Sequence, residues 1–511
     1  MATILAYDLG TGGCKASLYD ESGARLASLF SAYETFYPHP NWHEQRPADW
    51  WQAVVQSTRQ LLAASGAAPE SIRAIALSGQ SLAVVLLDSK GRLLREYVPI
   101  WSDTRPQAQT RRFFEKIDHD EWYLTTGNGF SSETYSVFKL MWFREHEPEM
   151  FAQAACMLGS KDYINFRLTG RLFTDHSYAS GSGVYNLQAR AYDERFLQAS
   201  GLPPELFPVI LESTDPLNGL TAAAAAELGL PRSVEVFCGG VDNSCMALGA
   251  GNVREGAIYL SLGSSAWLAV SSAQPVVDLA IKPFVFAHVI PRMTTSATSI
   301  FAAGSTLRWL RDVVLTQYQE RAAASGTDAY DLMVAAAMRS PIGARRLFFN
   351  PSLAGGSAAY PNPYIRGAFL GLELRHSADD MMRAALEGIT FDLSIMYQKL
   401  AQLVKLQDLI LMVGGGSKSA AWRQMFADVF NKPFAKASIG QDAASLGAAA
   451  LAAVGSGLWA SFARLDDLIE QEDVAQPQPE AVARYQKLLP LYQQTWAHLS
   501  SIADVIRQIE D

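Results

Sequence analysis

Twice in this 511-residue chain an apolar strand runs into a glycine- or serine-rich reversal and resumes as a second strand. Ile4 to Tyr7, the turn Gly10 to Gly13 and Ala16 to Tyr19 form the first instance. Ala257 to Leu262 and Ala266 to Val270, joined through Gly263, Ser264 and Ser265, form the second. A hairpin this tight leaves backbone N–H groups at its tip with no partner in the sheet, and small turn residues let another molecule approach that backbone closely. The echo between LAYDLGTGGCKASLYD and IYLSLGSSAWLAVSS predicts two similar α/β halves, 1–246 and 247–511.

The remaining segments fit that plan. Leu26 to Phe36 reads as a third strand. Trp50, Trp51, Val54, Val55, Leu61 and Leu62 share one face of a helix expected from Pro47 or Asp49 to about Ala64, with Gly66 just past its end. Ile72 to Leu77 and Val84 to Leu87 read as buried strands around Ser78-Gly79-Gln80-Ser81, and about Ala108 to Leu230 reads as mostly helical. Val234 to Cys238 is a strand ending in Gly239-Gly240, with a helix after Asp242. Leu409 to Val413 leads through Gly414-Gly415-Gly416 into a helix at Ala420 to Val429. A last helix, Pro477 to Asp511, is expected to bury Tyr485, Leu488, Leu489, Leu491 and Tyr492.

Composition removes whole classes of function. With 51 Asp+Glu against 42 Lys+Arg the net charge is −9, so neither a nucleic acid nor an anionic membrane is expected as the main partner. Four scattered cysteines, Cys14, Cys156, Cys238 and Cys245, offer neither a disulfide framework nor a C-x-x-C zinc site and suit a reducing cytoplasm. Met1 to Asp8 lacks the basic segment and apolar run of a secretory signal. Gly256 to Val277 and Ala443 to Ala463 carry no charge over a membrane-span length, but their Gly, Ala and Ser content predicts buried strands and a tightly packed helix instead.

Three glycine turns at strand ends can cradle an oligophosphate with backbone donors. In the first, Asp8 precedes Gly10-Thr11-Gly12-Gly13, and Lys15 follows. This set supplies amides and a hydroxyl for phosphate oxygens, a carboxylate for Mg²⁺ through its waters, and a cation. A tight hairpin with a solvated lysine would give the same text. No Gly-Lys dipeptide, G-x-G-x-x-G, G-x-S-x-G or H-E-x-x-H occurs, which excludes the P-loop and argues against the Rossmann fingerprint, the nucleophile elbow and a helical zinc pair. Asp242, after Gly239-Gly240, is either a helix N-cap or a general base at the crevice where strands end, and periodicity leaves both open.

Read in order, these motifs resemble the FGGY carbohydrate kinases of the actin/Hsp70-like ATPase superfamily. Gly367-x-Phe369-x-Gly371-Leu372 followed by Asp380-Met381-x-x-Ala384-Ala385-Leu386-Glu387 matches that family's C-terminal signature, and Lys139-Leu140-x-Trp142-Phe143-x-Glu145-His146 most of its N-terminal one. Asp8 to Thr11, Gly239 to Asn243, Leu262 to Ser265 and Gly414 to Ser419 match its other motifs. Trp42-x-Glu44-Gln45, Trp101-Ser102-Asp103-x-Arg105, Thr126-Gly127-Asn128 and His146-Glu147-Pro148-Glu149 are most similar to the xylulokinase group.

The resemblance implies two ribonuclease H-like α/β domains around a central cleft, ATP and Mg²⁺, a small sugar as acceptor, and a homodimer as is common in the family. It gives Asp242 as the base, Asp8 as the metal organiser, and Gln80, Ser81, Leu82, Asp103, Asp242 and Asn243 as acceptor contacts. Thr11, Gly12, Gly13, Lys15, Gly263, Ser264, Ser265, Gly414, Gly415, Gly416 and Ser417 would meet the nucleotide. The chain departs from the pattern at Gly12, usually Ser or Thr, and at Gln80-Ser81-Leu82, where xylulokinases read Gln-Met-His. It also lacks Gly-Glu-Arg-x-Pro in the segment Leu353 to Pro361. These departures bear on which sugar is accepted: a ketopentose such as D-xylulose, or glycerol, erythritol, a deoxy-sugar or gluconate. A nucleotide-binding regulator without transfer, and an actin-like or chaperone ATPase, are the other classes the motifs admit.

Overall fold

The computed structural model describes residues 2–356, 360, 362, 364–440 and 442–509, and two seven-stranded sheets organise it. Strands β1 (Thr3–Leu9), β2 (Gly13–Asp20), β3 (Arg25–Ala32), β4 (Ile72–Gly79), β5 (Pro216–Gly219) and β6 (Glu235–Phe237) form the first. Their spatial order is β5-β6-β4-β1-β2-β3, with the two-residue strand Gly240–Val241 also paired to β4. Strands β7 (Ile258–Leu262), β8 (Ala266–Ser272), β9 (Phe284–Ala287), β10 (Thr294–Ile300), β11 (Ile410–Val413), β12 (Phe434–Ala437) and β13 (Gln471–Ala475) form the second, in the order β9-β10-β8-β7-β11-β12-β13.

The two sheets repeat one design. An antiparallel hairpin, β1–β2 or β7–β8, carries a third antiparallel strand on one side, β3 or β10. On its other side lie two parallel strands, β4 and β6 or β11 and β12, and then an antiparallel edge, β5 or β13. The echo in the sequence is therefore an echo in topology. The turn at Gly12–Gly13 and the turn at Gly263–Ser265 occupy equivalent places.

Eight of the helices matter for the site: α1 (Pro47–Ser65), α2 (Ser136–His146), α3 (Ser160–Thr169), α4 (Asp242–Gly249), α5 (Ala378–Leu403), α6 (Ala420–Phe430), α7 (Ala443–Gly455) and α8 (Pro479–Ile506). Helix α1 runs as its spacing predicts, starting at Pro47 and stopping where left-handed Gly66 returns its N–H to Leu62 O. The charge-free run from Ala443 is α7, buried from Ala443 to Ala453. It packs on α4 through glycines: a Cβ on Gly249 would lie 1.8 Å from Ala443 O, and one on Gly447 2.0 Å from Cys245 O. One apolar cluster joins this helix pair to Ile4 and Ala74 of the first sheet and to Tyr259 and Val413 of the second. The α4–α7 pair is thus the joint between the sheets, with Met246 inside α4.

Several expectations are corrected. The strand expected over Leu26 to Phe36 ends at Ala32, and Phe36–His39 turns away to pair with Trp42–Gln45. The middle expected to be helical also contains strands: Cys156–Leu158, paired with Val85–Leu87 before it, and the pair Phe173–Asp175 with Val209–Leu211. On α8 Leu491 is 51% exposed, and Tyr485, Leu489, Tyr492 and Trp496 form the buried side. Ser357, Ala358, Ala359 and Pro361 of the departing segment, and Glu510 and Asp511 of the last helix, lie outside the described residues. Among the described residues no helix is long and apolar enough to cross a membrane.

Candidate active site

Strand β4 ends at Gly79, and its two neighbours bring a carboxylate to each side of that end. Asp8 of β1 pairs in register with Ser78, and on the opposite side Gly240 and Val241 pair with Ser78 and Gly79. Asp242 follows as the first residue of α4. The strands that present the two aspartates are therefore two sheet spacings apart, about 10 Å at the backbone. Glycine makes the turn feasible: Gly239 has φ 72°, and a Cβ there would lie 2.2 Å from Leu77 O. The cap of α4 is Val241, and Asp242 Oδ1 accepts the Asn243 N–H at 2.8 Å, so the carboxylate does not serve as an N-cap side chain.

Electrostatics separates these groups from ordinary surface carboxylates. Burial, reinforced by the charge of Asp8, pushes the Asp242 carboxyl up to about 7. Burial also raises Asp8, against the hydroxyl of Ser78, which donates to Asp8 Oδ1 at 2.9 Å, and the charge of Lys15. Lys15 itself reaches across the joint to Asp442, which Arg25 also contacts. The ammonium expected at the nucleotide is thereby engaged in a contact between the two halves.

The first hairpin is fixed by Gln45 and Trp101, side chains of the matched motifs to which the resemblance gave no role. Gln45 Nε2 donates to Thr11 O at 2.7 Å, and Gln45 Oε1 accepts from Trp50 Nε1 at 2.9 Å and from Gln80 Nε2 at 2.7 Å. Trp101, 41% exposed, donates Nε1–H to Thr11 Oγ1 at 2.9 Å. Gln80 Oε1 is buried and meets no donor among the described residues. Gly13 has no room for a Cβ, which would sit 2.5 Å from Ser31 O, whereas Gly12 has nothing within 4 Å. Gly12 is therefore a position where the usual Ser would fit.

Two of the expected acceptor contacts are engaged elsewhere. Asp103 is 0% exposed: Arg105 Nη2 binds its Oδ2 at 2.6 Å, and the His43 N–H donates to the same oxygen at 2.8 Å. Glu44 closes the ion pair at 2.7 Å from Arg105, whose guanidinium lies over Trp42. Leu82, 2% exposed and at φ 60°, packs in the cluster of Val84, Val137 and Phe138, and its carbonyl accepts from Lys139 Nζ at 3.0 Å. Ser81 and Asn243 are half-buried.

The second hairpin and the third glycine turn face one cavity of about 750 Å³, lined by Gly263, Ser264, Gly415 and Gly416 together with Arg308 and Trp422. That lies within the range of about 300–1,000 Å³ of small-ligand sites. Gly304 seats the following helix on the hairpin, donating to Gly263 O at 2.9 Å, and a Cβ there would be 2.4 Å from that oxygen. Gly414 and Gly416 are glycines because Leu262 lies against them, their Cβ atoms falling 2.7 Å from Leu262 O and 2.3 Å from its side chain. Gly415 has open space and faces the cavity. Ser417 is a correction: 1% exposed, it donates to Gly414 O at 2.7 Å and braces the turn. Ser264 and Ser265 are exposed. Arg308, Asp328, Tyr330 and Trp422 were missed, because they come from helices whose pattern signals only packing.

Comparison with known proteins agrees with this geometry. The models of the FGGY family of carbohydrate kinases match residues 3–249 with the N-terminal domain and 258–456 with the C-terminal domain. The chain is 30% identical to the xylulose kinase of Bacillus subtilis (strain 168) over 509 residues, 99% of each chain. It is 28% identical to the gluconokinase of Bacillus licheniformis over 490 residues, 96% of this chain and 94% of that one. The ligand-bound xylulose kinase structure from Lactobacillus acidophilus superposes with a TM-score of 0.90 at 26% identity, covering 99% of this chain and 100% of that one. With family models covering residues 3–249 and 258–456 and a relative 30% identical over 99% of each chain, the chain belongs to the FGGY family of carbohydrate kinases.

Proposed function

We propose that this ATP-dependent carbohydrate kinase is xylulokinase-like, moving the γ-phosphate of ATP to a terminal hydroxyl of a ketopentose, with D-xylulose to D-xylulose 5-phosphate as the leading reaction. The observation that carries the reading is the placement of Asp242 at the end of β4, across that strand from Asp8, with a carboxyl that burial raises to about 7. A carboxylate with that proton affinity takes a proton from a sugar hydroxyl at physiological pH more readily than an ordinary aspartate, a contribution of about 10² to 10⁴ in rate. Gln80, through its unpaired Oε1, and Asn243 would orient the acceptor. The exposed amides of Thr11 and Gly12 and those of Ser264 and Ser265 would hold phosphate oxygens from the two sides, while Gly415 lets the nucleoside lie against backbone.

The residues present fit a Mg²⁺. Such a hard cation is held by one carboxylate, its own waters and substrate phosphates, and the Asp8 carboxylate, whose Oδ1 accepts from the Ser78 hydroxyl at 2.9 Å, stands at the first hairpin. Asp8 is that carboxylate, and Mg²⁺ there would neutralise charge on the transferring phosphoryl group. The division of labour follows the joint: residues before 246 carry the acceptor and the base, and those after it the nucleoside. Four buried, unpaired cysteines suit a cytoplasmic location.

A second reading is an FGGY kinase for another small acceptor, gluconate foremost. It is favoured by the burial of Leu82 in place of a polar contact and by the similarity to gluconokinase. The deciding experiment offers ATP and Mg²⁺ with D-xylulose, D-ribulose, gluconate, glycerol and erythritol, each alone and in competition, and identifies the phosphorylated product by mass. A kcat/KM highest for D-xylulose supports the leading reading, one highest for gluconate or a polyol selects the second, and no acceptor-dependent ADP with any of them removes both.

A further inference from the structure

Behind the turn that carries Asp242 lies a buried polar chain of Lys161, Asp175 and Ser177, each 0% exposed. Lys161, at the start of α3, is 0% exposed and lies against Asp162 and 3.0 Å from Asp175 Oδ1. Asp175 caps the short helix His176–Ala179: its Oδ2 accepts the Ser177 N–H at 2.9 Å, the Ser177 hydroxyl and the Ser213 hydroxyl at 2.8 Å. Because the Ser177 hydroxyl donates to Asp175, its lone pair is turned the other way, and there it accepts the N–H of Val241 at 2.9 Å. Val241 is 0% exposed, so no water can replace that acceptor. The next residue is Asp242.

The geometry points to Ser177 as a positioning residue for Asp242. Its hydroxyl, oriented by the Lys161–Asp175 ion pair, fixes the Val241 peptide and so the direction in which the Asp242 carboxylate leaves the turn. The inference rests on Asp242 being the base. Strand pairing alone does not fix this peptide, since Gly240–Val241 is two residues long and flanked by left-handed Gly239. The site is also closely packed: a Cβ on Gly240 would lie 3.1 Å from Ser177 Oγ and 2.2 Å from Val289. A shift of about 1 Å in a catalytic group can cost about 100-fold in rate.

The test compares Ser177→Ala, Ser177→Cys and Ser213→Ala with the unaltered enzyme and with Asp242→Asn, measuring kcat, the KM for ATP and thermal melting. Ser177→Ala is expected to lose about 10- to 100-fold in kcat with the KM for ATP changed less than about threefold. Ser177→Cys, which keeps a weak donor and acceptor, is expected to fall between, and it decides the matter if the alanine variant does not fold. Ser213→Ala removes a bond to the same Asp175 oxygen without touching Val241, and its kcat is expected to stay within about threefold. Combined with Asp242→Asn, Ser177→Ala is expected to add less than about twofold. Unchanged kcat in Ser177→Ala beside an inactive Asp242→Asn overturns the positioning role. Equal losses from Ser177→Ala and Ser213→Ala overturn it too, by assigning the effect to folding of the Asp175 network. A fully active Asp242→Asn overturns instead the base assignment beneath it.

Discussion

Replacing Asp242 by Asn removes a charge that the fold holds against burial and against Asp8, and the consequence can be read without any turnover. Burial and the charge of Asp8 lift the carboxyl from an ordinary 3.8 to about 7. At about 1.36 kcal/mol per unit this sets a ceiling of about 4 kcal/mol, and because the residue retains some exposure, solvent screening reduces the expected effect to about 1–2 kcal/mol. The sign follows from which state holds the proton. Between about pH 4 and 7 the folded chain keeps a proton at Asp242 that the unfolded chain has released, so stability is gained at low pH and lost as pH rises through 7. The Asn variant has no such loss. Thermal melts of both proteins at pH 5, 6, 7 and 8, without nucleotide or metal, should show the variant more stable at pH 8 by about 1–4 °C, with the gap narrowing towards pH 5. A variant less stable than wild type at pH 8, or a gap that does not change with pH, would refute the reasoning.

Other expectations concern packing and the hairpins. Gly249→Ala places a methyl 1.8 Å from Ala443 O, so α4 and α7 must separate, and denaturant titration should report a loss of about 3 kcal/mol or more. Asp103→Asn breaks a fully buried pair with Arg105 and should cost about 3–5 kcal/mol in the same titration, whereas an undiminished midpoint with a raised KM for the sugar would return Asp103 to the acceptor site. Gly12→Ser enters open space, and its melting temperature should move by less than about 2 °C, matching a surface substitution of within about 0.5 kcal/mol.

The duplicated design was legible because period-two apolar strands and glycine reversals are local signals, and both hairpins lie where those signals put them. What escaped depends on partners far along the chain. The charge-free run at Ala443 announced a packed helix, but nothing in it names α4 as the helix it packs on. Lys15 read as a phosphate ligand because Asp442, 427 positions away, is invisible in the local text. Asp103 read as a sugar contact because a motif preserves residues without saying whether they face ligand or each other, and here Arg105 and Glu44 claim it. Periodicity left Asp242 open between cap and base and the resemblance gave it as the base; strand register places it across β4 from Asp8, and the cap of α4 is Val241.

The central claim, that Asp242 removes the proton from the attacking hydroxyl, is tested most directly by the pH dependence of acceptor-dependent ADP formation in wild type and in Asp242→Asn. The wild-type kcat/KM for the acceptor should fall as pH drops through about 7, and the variant should bind ATP normally while losing about 10² to 10⁴ in kcat with no such inflection. A variant with wild-type kcat, or one that keeps the inflection near 7, would contradict it.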